Sequence, residues 1–317
     1  MKILQKTILA VLVYHDIFNY PLKEQEIRRF LVQIRNHSVV KGNLVKMRDK
    51  FKFSKSQIQN SLKLLQKKEK VVKQDNYYCL SGREGIINLR KRREKYSKEK
   101  IKIAEKVVKV LKIIPWIKMI AVTGALAMNN SSKDDDIDFL VITAKNRLWL
   151  TRLLMVIVLE ILDKRRRPDH KKVKDKICLN MFLDETVLSL SKDKQSLFTA
   201  HEIIQMKPIF NKDYIYERFL QSNLWVKNYL PNGVKNLELG SEEEFNTISS
   251  MFNILGSKFN VLNSIFLFLE KITYQFQLKH MKSRRTIEKI SLHSAFFHPK
   301  DRATKILKRY NKSIHNI

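Results

Sequence analysis

The chain has 317 residues, 44% of them hydrophobic, and a formal net charge of +31. That length leaves room for two or three domains with cores of their own, and the apolar share excludes a disordered chain. Seven glycines leave little room for a turn-rich all-β protein. The two distant cysteines, Cys79 and Cys178, exclude a zinc cluster and fit a reducing cytoplasm.

In chain order, residues 3–18 predict an amphipathic helix with Ile8, Leu12 and Tyr14 inward, broken by Asn19-Tyr20-Pro21. Lys2 and Lys6 precede the apolar run Ile8–Val13. That run is short and is followed by His15 and Asp16, so it reads as a buried helix and not as a leader. Pro21 suits the first turn of a second helix over 22–34, with Ile27, Phe30, Leu31 and Ile34 on its core face. After a basic connector, a third helix begins at Ser54 or Ser56, either of which can cap it. It turns Ile58, Leu62 and Leu65 inward and Lys55, Gln57, Gln59, Lys63, Lys67 and Lys68 outward. VVKQDNYYCLSG then predicts a hairpin around Gln-Asp-Asn. Three helices and a hairpin over residues 1–82 resemble a winged-helix domain. The resemblance implies a third helix that enters the major groove of DNA. The competing reading is a packing module with a solvated charged face.

Residues 83–116 form a linker dominated by one long helix, 84–112, which turns Ile101, Ala104, Val107, Val108 and Leu111 toward a sheet. Pro115 precedes the stretch on which the functional reading rests, IKMIAVTGALAMNNSSKDDDIDFLVITA, residues 117–144. It predicts an apolar strand, a Gly-Ala turn opening a short helix, a polar loop, and a second strand starting at Asp136. Asp136 and Asp138 are two apart on that strand and share a face, where they repel each other unless a cation lies between them. Hard oxygen ligands at a strand end suit Mg²⁺, and Gly124 lets backbone approach an anion closely.

This order of elements resembles the nucleotidyltransferase fold of the DNA polymerase β superfamily, over roughly residues 84–210. The resemblance implies an α/β (α+β) domain with a small mixed sheet, residues 117–231, flanked by the winged helix and by a C-terminal helical domain, 232–317. It implies two Mg²⁺ ions on Asp136 and Asp138, and a nucleoside triphosphate whose leaving phosphates lie at Gly124 and Ala125. It also implies a third carboxylate on a later strand. Two positions depart from the pattern. Ala125 stands where the family has Ser, leaving Thr123 to supply a hydroxyl. The central polar residue of the next strand, 177–183, is Asn180, with Asp175 before it and Asp184 after it. Strand alternation puts Asn180 and Asp184 on one face and Asp175 on the other.

Between these strands lie an apolar helix, 147–162, and the basic segment KRRRPDHKKVKDK, residues 164–176. A strand–helix–strand crossover returns this segment to the Asp136 end. Arg165, Arg166, Arg167, Lys171 and Lys172 are therefore candidates for phosphate contact, Arg165 and Lys171 foremost. A helix over 196–206 carries His201 and Glu202, read as a structural pair. Helices are also expected over 213–229, 244–291 and 300–310. The most apolar stretch, Leu148–Leu162, is too short and too charged to span a bilayer, and no membrane partner is expected.

Residues 1–112 hold 29 Lys and Arg against 10 Asp and Glu, a net +19 of the total +31. Either nucleic acid is the partner of that surface, or the charge is compositional bias. The expected activity is Mg²⁺-dependent transfer of a nucleoside monophosphate to an acceptor, RNA or DNA among the candidates. The alternative is a nucleic-acid-binding regulator that senses a nucleotide without turning it over.

Overall fold

In the computed structural model, residues 2–32, 34–35, 38–39, 53–167, 172–234, 260–281, 289–297 and 302–315 are described. Helix α1 (Ile3–Asp16) is buried along almost its whole length, from Leu4 and Gln5 through His15. The expected amphipathic stripe is absent because the helix is enclosed on all sides. Tyr14 stacks on His201 at 4.0 Å and meets Tyr310 edge-on, so distant parts of the chain close over it.

Next come β1 (Leu22–Lys23), α2 (Glu24–Arg29), the short pair β2 (Ile34–Arg35) and β3 (Ser38–Val39), and α3 (Lys55–Lys67). The hairpin β4 (Val71–Gln74) and β5 (Tyr77–Leu80) follows. The second helix is shorter than its sequence predicts. Leu22 and Lys23 pair with Tyr78 and Tyr77 to give a three-stranded antiparallel sheet, order β1-β5-β4. Ser54 is the cap of α3, accepting from Gln57 N at 3.2 Å while Gln57 Oε1 accepts from Ser54 N at 2.8 Å, a capping box. Asp75 and Asn76, both left-handed, make the two-residue hairpin turn.

Helix α4 (Gly85–Leu111) ties this region to the next. The buried Arg90 pairs with Glu26 at 2.8 Å and Glu94 at 3.0 Å, and lies over the Tyr20 ring at 4.0 Å. Ala104, Val107, Val108 and Leu111 pack on the main sheet, as their helical spacing predicts.

The main sheet is mixed and six-stranded. It comprises β6 (Ile117–Val122), β7 (Ile137–Thr143), β8 (Ile177–Asp184), β9 (Lys207–Asn211), β10 (Lys289–Ile290) and β11 (Ser294–Phe296), in the order β10-β11-β8-β7-β6-β9. Only β7 and β8 are parallel neighbours, joined through α6 (Leu148–Ile161); the other pairings are antiparallel. Alternation divides the strands between two cores. Met119, Ala121, Leu140, Ile142 and Leu183 join the core around α1 and α7 (Leu197–Gln205). Ile120, Val122, Phe139, Val141 and Phe182 join the core under α4 and α6.

Two further expectations are corrected. The helix foreseen over 213–229 is α8 (Ile215–Ser222) and a separate 3-10 turn, Leu224–Asn228. The buried Asn223 parts them, its amide spent on Leu190 N, Leu188 O and Phe219 O. The C-terminal segment is not a helical unit apart. Its α9 (Asn260–Met281) packs on α6, β10 and β11 extend the main sheet beyond β8, and α10 (Arg302–Ile314) packs on α1 and α7. No helix among the described residues is long and apolar enough to cross a membrane.

Candidate metal and phosphate site

Thr123 follows β6, and its N–H donates to Asp138 O at 3.0 Å and so holds the turn beside β7. Gly124 follows at φ +62°, a conformation that L side chains rarely adopt. A Cβ there would lie 3.2 Å from Asp138 Oδ2, so both the dihedral and the close approach of the carboxylate favour glycine. The short helix α5 (Gly124–Ala127) opens from it.

The loop from α5 to β7 is fixed by its own acids and by α4. Asp135 Oδ2 accepts from Ser132 N at 2.7 Å, and the buried Lys100 donates to Asp135 O at 2.7 Å. Lys100 also pairs with Asp175 at 2.6 Å, which pins the start of β8 beside the start of β7. Asp175 is thereby a positioning group and not a ligand candidate. Nothing in the sequence marks Lys100 out from the other lysines of its helix; only the packing does.

Asp136 and Asp138 open β7 on the side facing α7 and α10. In the parallel register Asp138 lies opposite Cys178, and a bulge between Phe139 and Leu140 leaves Asn180 as the extra residue of β8. Asn180 Nδ2 donates to Asp138 Oδ1 at 3.2 Å. The bulge reverses the alternation beyond it, so Asp184 does not share Asn180's face. It sits at the opposite end of β8, fully buried, accepting from Asn146 N at 3.2 Å, Thr186 N at 2.8 Å and His293 Nδ1 at 2.7 Å. The parity argument from a regular strand fails here for that reason.

Of the basic segment, Arg166 reaches the acids. Its guanidinium is 2.8 Å from Asp136 Oδ2 and donates to Cys178 Sγ at 3.3 Å. The Asp136 contact is an ion pair off the hydrogen-bonding direction, so the buried Oδ2 has a neutralising charge and no donor. Arg165, the expected phosphate ligand, pairs instead with Glu160 at 2.6 Å, as does Arg167. Lys171 lies outside the described residues, and Lys172 is exposed.

Oxygens of Asp136 and Asp138 and the thiol of Cys178 all lie within 4.8 Å of one another, a triad that could hold a metal ion. Both cysteines are free thiols. Burial, then the charge of Asp136, raises the Asp138 carboxyl to about 6, against smaller opposing effects of Arg302, Cys178 and Arg166. Burial, then the two aspartates, pushes the Cys178 thiol up to about 12. Strand alternation could have flagged Cys178, two residues before Asn180.

Glu202 was read as the structural partner of His201, but the two side chains have different surroundings. His201 stacks in the aromatic cluster around α1, its Nδ1 on Leu197 O at 2.9 Å. Glu202 faces the site: burial and the charge of Asp138 raise it to about 7, opposed by Arg302 and by a hydrogen bond from Gly124 N–H. It lines a cavity of about 150 Å³ with Tyr14, Phe18, Gly124, Ala125 and Arg302. No family model matches the chain, and no curated protein or solved structure matches it either.

Proposed function

We propose that the protein is a metal-dependent nucleotidyltransferase of the polymerase β type, acting on a nucleoside triphosphate. One observation carries this reading. Asp136 and Asp138 are held side by side at a strand end, with a donorless buried oxygen on the first, and directly beneath the left-handed Gly124 turn. Such a pair is costly to build unless it serves a cation.

The donors fit a divalent ion held by two carboxylates and completed by water and phosphate. Asp136 and Asp138 would hold one or two Mg²⁺ ions through their oxygens, with the Cys178 thiol, pushed up to about 12, left as a neutral neighbour. Bound there, the metal neutralises phosphate charge and lowers the pKa of the attacking oxygen. Gly124 and Ala125 supply backbone for the leaving phosphates, with Thr123 ordering the turn. Asn180 orients Asp138 through its amide. Arg166, already on Asp136, is a cation that can transfer to a phosphate oxygen.

The alternating helices and small antiparallel sheet of residues 1–82 support the winged-helix reading, and exposed Lys55, Lys63 and Lys67 on α3, with Lys68 at its end, support a nucleic-acid acceptor or anchor. In this reading the enzyme is cytoplasmic. A second reading is favoured by Glu202. Its carboxylate takes the Gly124 N–H that a phosphate would use, and the strand offers Asn180 and Cys178 where a third carboxylate would stand. That arrangement suits a protein that senses a nucleotide without transferring it.

Calorimetry with triphosphate and Mg²⁺ tests the common core of both readings. Asp136→Asn with Asp138→Asn should abolish metal-dependent binding and leave the fold intact; equal affinity in the double variant would overturn it. Incubation with labelled triphosphates and total RNA then separates transfer from sensing. Removal of residues 1–82 is not a clean test of the nucleic-acid partner, because α1 belongs to the shared core. Replacing Lys63 and Lys67 by Gln should weaken binding and flatten its salt dependence.

A further inference from the structure

Helix α9 is built with its polar side inward. Glu270, only 2% exposed, accepts from the backbone N–H groups of Trp149 and Leu150 at 2.7 and 2.9 Å, at the start of α6. Gln277 donates to Trp149 O at 2.8 Å and accepts from Arg152, and Thr273 is buried between them. These polar contacts fix the helix to the domain. Its outward face is apolar: Ile265 is 49% exposed, Phe268 65%, Leu269 36%, Ile272 44% and Phe276 63%. At about 100° per residue, these five fall within an arc of about 100°, turned away from Glu270, Thr273 and Gln277.

A soluble helix ordinarily does the reverse, and five large apolar side chains left in water on one face point to something that covers them. Residues 235–259 lie outside the described residues; of occupants from outside the chain three kinds are available, and charge decides among them. A second copy would bring two chains of +31 together. Nucleic acid meets the charge but offers no apolar depth. A bilayer carrying anionic headgroups offers both: exposed Lys271 flanks the stripe, and exposed Lys279 ends it three residues past Phe276, each on a stem long enough to reach headgroups. The neighbouring α6 leaves Ile157 and Ile161 exposed as well, 46% and 78%.

We propose that α9 lies in the surface of an anionic membrane with its Ile265–Phe276 face buried among the acyl chains. The protein docks on the lipid without spanning it. This inference does not depend on the chemistry of the Asp136 site.

Sedimentation of the full chain with vesicles tests it. Binding is expected to phosphatidylcholine vesicles containing phosphatidylglycerol, and little to phosphatidylcholine alone. Phe268→Ser with Phe276→Ser, both at exposed positions, should lower partitioning at least about tenfold with little change in Tm. Lys271→Gln with Lys279→Gln should weaken it by roughly tenfold or more at low salt. Should the double Ser variant fold poorly, Phe268→Trp provides the second measurement, since its added emission should shift to the blue with anionic vesicles only. Failure of the wild-type chain to bind anionic vesicles at low salt would overturn the proposal. So would undiminished binding by a folded double Ser variant, or a stable dimer that the same variant dissolves.

Discussion

The two ends of the β7–β8 pair carry carboxylates in opposite circumstances. At one end Asp184 is fully buried and completely engaged, accepting from two backbone N–H groups, the Thr186 hydroxyl and His293. At the other, Asp136 and Asp138 face each other's charge with few donors, and one buried oxygen has none. The same strands thus hold one acid that closes a loop and a pair in which burial and the charge of Asp136 push the Asp138 carboxyl up, while Arg166 is the counter-ion of Asp136. A satisfied buried carboxylate closes a loop; a mutually repelling pair beside a glycine turn is what the proposed metal site rests on.

Substitutions sharpen that contrast. The largest expected effect is at the engaged end. Asp184→Ala strands several buried donors and should cost about 3 kcal/mol in denaturant unfolding. Lys100→Met comes next, at about 2–3 kcal/mol, because it leaves Asp175 without its buried partner. It should also loosen the loop that presents Asp136, so triphosphate affinity should fall with stability. An unchanged affinity would show that Lys100 supports the fold alone.

Asp138→Asn should act in the opposite direction. The folded carboxyl titrates at about 6 against an ordinary value of 3.8, so the folded state binds its proton more tightly than the unfolded chain does. The contribution of this group to stability is greatest below about pH 4 and is lost as pH rises through about 6. In the metal-free protein, Asp138→Asn should therefore raise stability by about 1–2 kcal/mol at pH 8 and change it little near pH 4. A loss of stability at pH 8 would erase the distinction between the two ends. Glu202, raised to about 7 against 4.5, has the same sign, so Glu202→Gln should also gain at pH 8, and by less in the Asp138→Asn background because part of the rise comes from the charge of Asp138.

The smallest effect is expected at the turn. Gly124→Ala places a methyl 3.2 Å from Asp138 Oδ2 in a left-handed conformation and should cost about 1 kcal/mol. Its larger consequence should be on metal-dependent nucleotide binding, because the clash displaces the carboxylate itself.

Local pattern determined much of this protein. The spacing of Ile58, Leu62 and Leu65, a serine cap at Ser54 or Ser56, the turn at Gln74-Asp75-Asn76, the long α4 and the strand–turn–strand around Gly124 are short-range features, set by residues within a few positions of each other. The Asp136 and Asp138 pair was legible for the same reason, since two residues apart on a strand must share a face. What lay beyond the sequence depends on contacts between distant segments. One extra residue at Asn180 reverses the face of Asp184, and a bulge is a property of the pairing and not of either strand. The burial of α1 on every side, the choice of Arg166 over Arg165, and the reach of Lys100 to Asp175 follow from which elements close over them. Glu202 is one more helical acid until α7 is packed over Gly124. Periodicity measures the neighbours a residue has along the chain; tertiary structure decides the neighbours it has across it.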